Sequence, residues 1–449
     1  MVSLHGASPE TKGLSVSQTR EVRRKAGFLK MRLPELKLSE VSDPRAKRGQ
    51  RWRLEQLLRS VLVGIMAGSK SLADIEKLTS EMSQSMSKML GLCRRVADTT
   101  MRDALCKFDM HSLGSLRQAL HRVIKSAQRR KALEPQGLPF GVVAMDGKAT
   151  ALCAWDDDIA QKHANEQTHH AYGLMRTVTC TLSSAVAKPC LDAIAIAPKT
   201  NEMGFFKAAF VQLCENFSSL FTLVTYDAGV SSEDNGQAVV DAGKHYLFGL
   251  KNENRLMFQL AKDLLQNKPV LAKTIDVLSN KKTTTRTLRM VEQSPLPSGQ
   301  NELCWSHTRT LLSVTATFEE DGKVVAQETR YFNSSLTPDA LEAAQWLRVV
   351  REHWGVENNN HNTFDKIFRE DDKPFITYDT KGAYAVLLLR RIAYTMLALY
   401  RSVSQRSEDK RQTPWRDLLR SIYNALIAAS DAHLIGLREP KHKDAIAFL

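Results

Sequence analysis

The 449-residue sequence predicts an α/β fold preceded by an all-helical segment. Three observations lead there. Residues 41 to about 130 read as helices throughout, and from Pro135 short apolar strands alternate with helices. From about Lys268 to Phe332 the pattern becomes polar and β-rich before helices resume.

Taken in order, residues 1–40 are basic and polar (SQTREVRRKAG) and lack periodicity, so a flexible arm is expected. Leu54 to Met66 predicts an apolar helix ended near Gly68, and Ser71 opens a second helix with Asp74 three residues on as its capping partner. DTTMRDALCKFD and HSLGSLRQALHRVIKSAQRRKAL continue the helical run to about residue 134. GVVAMDGK then predicts a short buried strand ending at Asp146, followed by the strand-like LMRTVTCTLSS and PCLDAIAIAP and a helix from Met203 to Asn216. SLFTLVTYDAG predicts a second apolar strand ending at an aspartate, Asp227. A helix (SSEDNGQAVVDAG), a strand (HYLFGLK) and another helix (NENRLMFQLAKDLLQ) close this part at about residue 267. The β-rich stretch, residues 268–336, carries a turn at Asp321-Gly322 and reads as an insertion of antiparallel strands. After residue 404 a polar linker leads to a last amphipathic helix from about Pro414 to Ala429.

The block Arg351 to Asp372, REHWGVENNNHNTFDKIFREDD, stands apart. Upstream of it Thr337 is a natural N-cap and Pro338 suits the first helical position. Extending that helix spaces Leu347, Val350, Trp354, Glu357 and His361 along one inward stripe. An acid, Glu357, thus sits where an apolar residue is expected, and a buried carboxylate needs a cation or hydrogen bonds to offset it. A long apolar helix from Lys381 to Arg401 follows.

Lysine and arginine exceed aspartate and glutamate by 63 − 49 = 14, which favours a polyanionic partner, or else a solvated basic surface. The seven cysteines are dispersed and never spaced Cys-x-x-Cys, as expected of reduced thiols in a cytoplasmic protein and not of a zinc site. The longest apolar run, Ala383 to Tyr400, is cut by Arg390-Arg391, so no membrane span is expected.

Two strands therefore each bring an aspartate, Asp146 and Asp227, to a carboxyl end, where α/β folds place their sites. A late helix adds Glu357. Three converging carboxylates suit two hard divalent cations on oxygen ligands. Such a pair, ~3.5–4 Å apart, serves an in-line phosphoryl displacement, activating the attacking oxygen and stabilising the leaving one. Lys148, Lys251 and Asn252 are candidate phosphate contacts, or solvated side chains. Arg351, His353, Asn358 and His361 flank Glu357 as candidates to orient nucleic acid. Trp354 reads as core packing or as a base-stacking wedge. The acidic runs Asp156-Asp157-Asp158 and Glu370-Asp371-Asp372 read as solvated or capping, and no Gly-x-x-x-x-Gly-Lys loop calls for ATP.

VVAMDGK, PKTNEM, LVTYDAG, HYLFGLKNEN, RYFNSSL and above all REHWGVENNNHNTFDKIFREDD resemble the DDE transposases of bacterial insertion sequences, in particular the H-repeat-associated (ISAs-type) group. The resemblance runs from about Asp43 to Arg401. It implies an RNase H-like catalytic core carrying a β-rich insertion, with Asp146, Asp227 and Glu357 on the family's acidic triad. It also implies two Mg²⁺ ions, with Mn²⁺ able to substitute, and double-stranded DNA (terminal inverted repeats and target) as partner, two ends being paired by a homodimer. Departures concern the insertion, where Asn280 to Thr285 replace a His-Gly-Arg-Ile-Glu-like run and Arg286 alone is a candidate match, and Asn360-His361-Asn362, which replace Leu-His-Trp. Two further readings stay open: a transposase-derived DNA-binding protein that no longer transposes, and a nuclease that cuts without joining.

Overall fold

The computed structural model describes residues 14–251, 255–279, 282–293, 305–372, 374–405 and 407–437. Its centre is a ten-stranded sheet. The strands are β1 (Val142–Leu152), β2 (Ala160–Ala164), β3 (Ala171–Leu182), β4 (Cys190–Ala195), β5 (Leu223–Tyr226), β6 (His245–Leu250), β7 (Ala272–Ser279), β8 (Lys282–Glu292), β9 (Thr310–Glu320) and β10 (Lys323–Ser334). They lie in the order β2-β3-β1-β5-β6-β10-β9-β8-β7, with β4 also paired to β3. β1, β5 and β6 run parallel, as the βαβ alternation predicts.

The polar β-rich stretch does not fold away from this sheet. β10 lies antiparallel on β6, with Tyr331 opposite Leu250, so one sheet passes through both parts. The β9–β10 hairpin turns on Asp321 (φ 52°) and Gly322 (φ 75°), the two left-handed residues that match strand twist in a two-residue turn.

β1 overruns the expected end at Asp146. It continues to Leu152 because β3 pairs with it as far as Leu152 opposite Gly173. β5 pairs only with Val142 to Ala144. Beyond Ala144 the β5-facing edge of β1 is therefore unpaired, and Asp146 lies there.

The helices before the sheet are α1 (Val16–Arg32), α2 (Leu54–Met66), α3 (Leu72–Glu81), α4 (Gln84–Leu90), α5 (Asp98–Cys106) and α6 (Met110–Arg129). Within it come α7 (Glu202–Phe217), α8 (Glu233–Asp241), α9 (Arg255–Leu265), α10 (Ala343–His353), α11 (Asn362–Lys366) and α12 (Thr380–Ser402). Two short pieces, α13 (Glu408–Arg411) and α15 (Asp431–Leu434), flank α14 (Trp415–Ala428). Residues 16–32 correct the expectation of a flexible arm. Ser15 and Gln18 form a capping box, and Val22, Ala26 and Leu29 give α1 a buried face that its many charges obscured. Residues 1–13 of that arm lie outside the described residues.

α12 packs against α2, α5, α6 and β4. Its apolar stretch is long enough to cross a membrane, yet all of it is buried inside the protein. Leu388, Leu389 and Leu397 are fully buried, each contributing roughly 1.5–3 kcal/mol, so the helical segment and the sheet share one core. On the opposite face α10 presents Trp346, Leu347 and Val350 to Leu223, Leu247 and Phe332.

A buried charge cluster ties α6 to the sheet. The Arg117 Nε donates to Asp192 Oδ1 at 2.6 Å, its Nη1 donates to Gln212 on α7 at 2.7 Å, and His121 Nε2 lies 3.0 Å from Asp192. Burial would raise the Asp192 carboxyl, but Arg117 and the adjacent His121 hold it down at about 2. Arg117→Ala, which strands that carboxylate, should lower unfolding stability by about 3 kcal/mol in urea titrations at neutral pH.

Candidate functional site

Three adjacent parallel strands meet along one edge, where β5 and β6 end and β1 runs on. β1 carries Asp146 there, Asp227 immediately follows β5, and Lys251 immediately follows β6. All three line a cleft of about 560 Å³, with His353, Trp354, Arg330 and Phe332 on its far wall. Both aspartates are partly exposed. Asp227 caps the turn that follows it, its Oδ1 accepting from the Gly229 N–H at 2.8 Å, and Lys251 Nζ lies 3.7 Å from its Oδ2. His361 Nδ1 lies 3.3 Å from Asp146 Oδ2, so this histidine abuts the carboxylate.

The helix expected to run unbroken from Thr337 to His361 is three pieces. Thr337 precedes only a 3₁₀ turn, Pro338–Ala340, and α10 starts later, where Glu342 and Gln345 form the capping box. α10 stops at His353, and a π-helical turn, Val356–His361, then leads into α11. Such wide turns break the 3–4 spacing and recur at functional sites. Leu347 and Val350 are buried as the stripe predicts, but Trp354 and His361 are only half-buried. The π turn is pinned at its end, where Asn360 donates from Nδ2 to Thr181 on β3 and His361 meets Asp146 on β1. Glu357 and Asn358 lie on this turn, but their side chains fall outside the described residues, as does Asn252.

The other expected contacts divide. Lys148 is buried, and its ammonium is ion-paired with Asp365 and with Asp371 at 3.2 Å, which removes it from the candidate phosphate contacts. It faces the FREDD block because side chains alternate along β1, and Lys148 shares a face with Asp146. His353 is also buried, with Nδ1 3.0 Å from Thr225 Oγ1. Burial lowers its pKa, leaving a neutral ring behind the cleft in place of a cationic nucleic-acid contact. Arg286 and Arg351 converge: both reach Asp276, Arg351 at 2.9 Å.

They do so in a second groove of about 750 Å³, lined also by Lys188, Arg330, Arg348 and Glu352. Arg330 and Trp354 border both cavities, so the cleft opens into a mostly cationic groove. The Arg330 guanidinium stacks over the Trp354 ring, 4.3 Å from its centroid, so this tryptophan is a wall residue and not simple core. Neither Arg330 nor Arg348 is singled out by sequence spacing; each lies on an element whose neighbour in this groove is distant in the chain.

In the acidic run at residues 370–372, Asp371 and Asp372 are exposed as expected, but Glu370 departs from expectation. Glu370 is buried, with Arg391 Nη2 donating to it at 3.0 Å, and Asp372 pairs with Arg369. Asp365, Glu370 and Asp371 are the one group of three potential ligands within 4.8 Å of one another among the described residues. Each of the three acids is already ion-paired, Asp365 and Asp371 with Lys148 and Glu370 with Arg391.

Missed altogether is Glu202, at the first turn of α7. Its carboxyl group lies against Gly147, beside Asp146, and burial followed by the charges of Asp146 and Asp227 raises its pKa. Its only signal is its place in PKTNEM. No protein-family model matches the chain, and no curated protein matches it. Among solved structures, a piggyBac transposase synaptic complex with hairpin DNA is similar at a TM-score of 0.43 and 12% identity, over 96% of this chain and 81% of that one.

Proposed function

We propose that this protein is a DDE-type transposase, a metal-dependent DNA phosphoryl-transfer enzyme that cuts and joins the ends of a bacterial insertion sequence. One observation carries the reading: Asp146 and Asp227, on neighbouring parallel strands, line a cleft that opens past Arg330 into an arginine-lined groove. We read strands β4-β3-β1-β5-β6 as its RNase H-like core, β7 to β10 as the insertion, and the segment before residue 135 as the helical N-terminal domain.

The donor set fits hard cations, being carboxylate oxygen without a thiol among the cleft residues. Asp146, Asp227 and Glu357 would hold two Mg²⁺ or Mn²⁺ ions, which when bound supply an activated attacking oxygen and charge neutralisation at the leaving one. The chain's own contribution is placement. Asp227 is oriented by the Gly229 N–H, and His361 stands against Asp146. The groove would take the phosphate backbone flanking the scissile bond, where Arg286, Arg330, Arg348 and Arg351 exchange their present carboxylate partners for phosphates.

The test is cleavage of duplex DNA bearing the element's own ends, with Mg²⁺ or Mn²⁺ and with chelator. Metal-dependent nicking followed by strand-transfer products supports the reading. Nicking that never yields joined product favours a nuclease, and binding without nicking a transposase-derived DNA-binding protein. Arg330→Ala and Arg348→Ala should each weaken binding for all sequences alike and reduce the log-affinity against log-salt slope by about 1. An unchanged slope in both would remove the groove from the contact surface.

A further inference from the structure

We propose that Glu202 is a fourth carboxylate of the Asp146–Asp227 site and binds a divalent cation there, an inference that rests on the functional reading above. A glutamate in the first turn of a helix ordinarily points into water, where it favours the helix dipole. Glu202 does otherwise. Its carboxyl group lies against the backbone of Gly147, the residue after Asp146. A Cβ at position 147 would stand 2.1 Å from its Cδ and Oε1 and 2.3 Å from Oε2. Only glycine leaves that space on the strand, so β1 is shaped at this point to admit a carboxylate.

A second observation comes from the neighbouring strand. Tyr226, the residue before Asp227, is buried to 1% exposure, and its hydroxyl has no hydrogen-bond partner among the described residues. Its ring meets that of Phe206 edge to face, 5.7 Å between centroids, and Phe206 lies one turn along α7 from Glu202, so Tyr226 packs against the helix that carries this acid. The glycine following one aspartate and the tyrosine preceding the other thus both lie against the first turns of α7. Two basic residues bear on this carboxylate, Arg176 and His361. Arg176 is already engaged with Gln161 and the Thr200 carbonyl, and His361 stands 3.3 Å from Asp146. Asp227 has Lys251 at 3.7 Å and Asp146 has His361, but Glu202 has no ion pair among the described residues, and acids crowded in this way match the donor chemistry of a hard divalent ion.

The experiment is a Mn²⁺ titration of the full-length chain, followed by the loss of the free-ion electron paramagnetic resonance signal, with folding checked by circular dichroism. Glu202→Gln is expected to weaken Mn²⁺ binding by at least about 10-fold. Gly147→Ala, which displaces the carboxyl while keeping Glu202, should do the same and serves if the first variant fails to fold. Asp146→Asn, the control for the site itself, should lose binding. Wild-type Mn²⁺ affinity in Glu202→Gln and Gly147→Ala, with Asp146→Asn impaired, would overturn the role of Glu202 and leave the functional reading standing. Wild-type affinity in Asp146→Asn as well would overturn the metal site.

Discussion

Asp146→Asn and Asp227→Asn, made separately, are expected to reduce metal-dependent DNA cleavage by about 10²–10³-fold, the scale of losing one charge-stabilising contact in a preorganised site. Folding should survive. Both side chains are partly exposed and stand among other acids, so replacing one by an amide relieves repulsion and leaves no buried charge unpaired. Thermal melts of the variants should therefore match or slightly exceed that of the parent protein. DNA binding measured with chelator present should also persist, because the groove cations are untouched. Glu357→Gln belongs in the same series, since the acid on the π turn completes the proposed triad. Initial rates on a duplex carrying the element's ends decide the matter, and parental rates in all three variants would sink the assignment.

Glu370→Ala is expected to do the opposite, destabilising the whole fold by about 3–5 kcal/mol. Glu370 and Arg391 are both buried, and the Arg391 guanidinium also lies 3.6 Å from the Phe364 ring centroid. Removing the acid strands a cation in the middle of α12, the most buried helix of the shared core. Burial would raise the Glu370 carboxyl, but the Arg391 charge and hydrogen bonds outweigh it and hold the group at about 2. A carboxyl depressed in the folded state stabilises above its unfolded pKa, ~4.3, and loses that contribution as pH falls through its folded value. The stability gap between parent and variant should thus be full at neutral pH and shrink between about pH 4 and pH 2. Urea unfolding across that range measures it. A double variant, Glu370→Ala with Arg391→Met, should recover part of the loss, since the stranded charge is then gone.

Several features of this molecule were legible in the sequence because they are local. Apart from β2, which no apolar run announces, the order of strands and helices from β1 to α9 follows from runs of apolar residues and the turn residues between them. Ser71 caps α3 as expected, its side chain accepting from the Asp74 N–H, although the Asp74 carboxylate reaches back to the Lys70 N–H and not to Ser71. Asp227 terminates its strand where a polar residue before a glycine turn should. α1 escaped notice because its charges outnumber the few apolar residues that make its buried face. The π turn escaped because one extra residue in a helical repeat changes no composition, only the phase of everything after it.

By itself, then, the sequence determined the α/β alternation, the delivery of Asp227 to a strand end, and the acid-rich block at residues 351–372, whereas Asp146 lies within β1 and not at its end. These depend on hydrophobic period and turn chemistry, which act within a few residues. Tertiary structure alone decided that Lys148 is consumed by Asp365 and Asp371, that Arg286 and Arg351 share Asp276, and that Glu202 closes over Gly147. Each of these is a meeting of side chains far apart in the chain, set by how strands register and helices dock, and no local pattern encodes where a distant partner will stand.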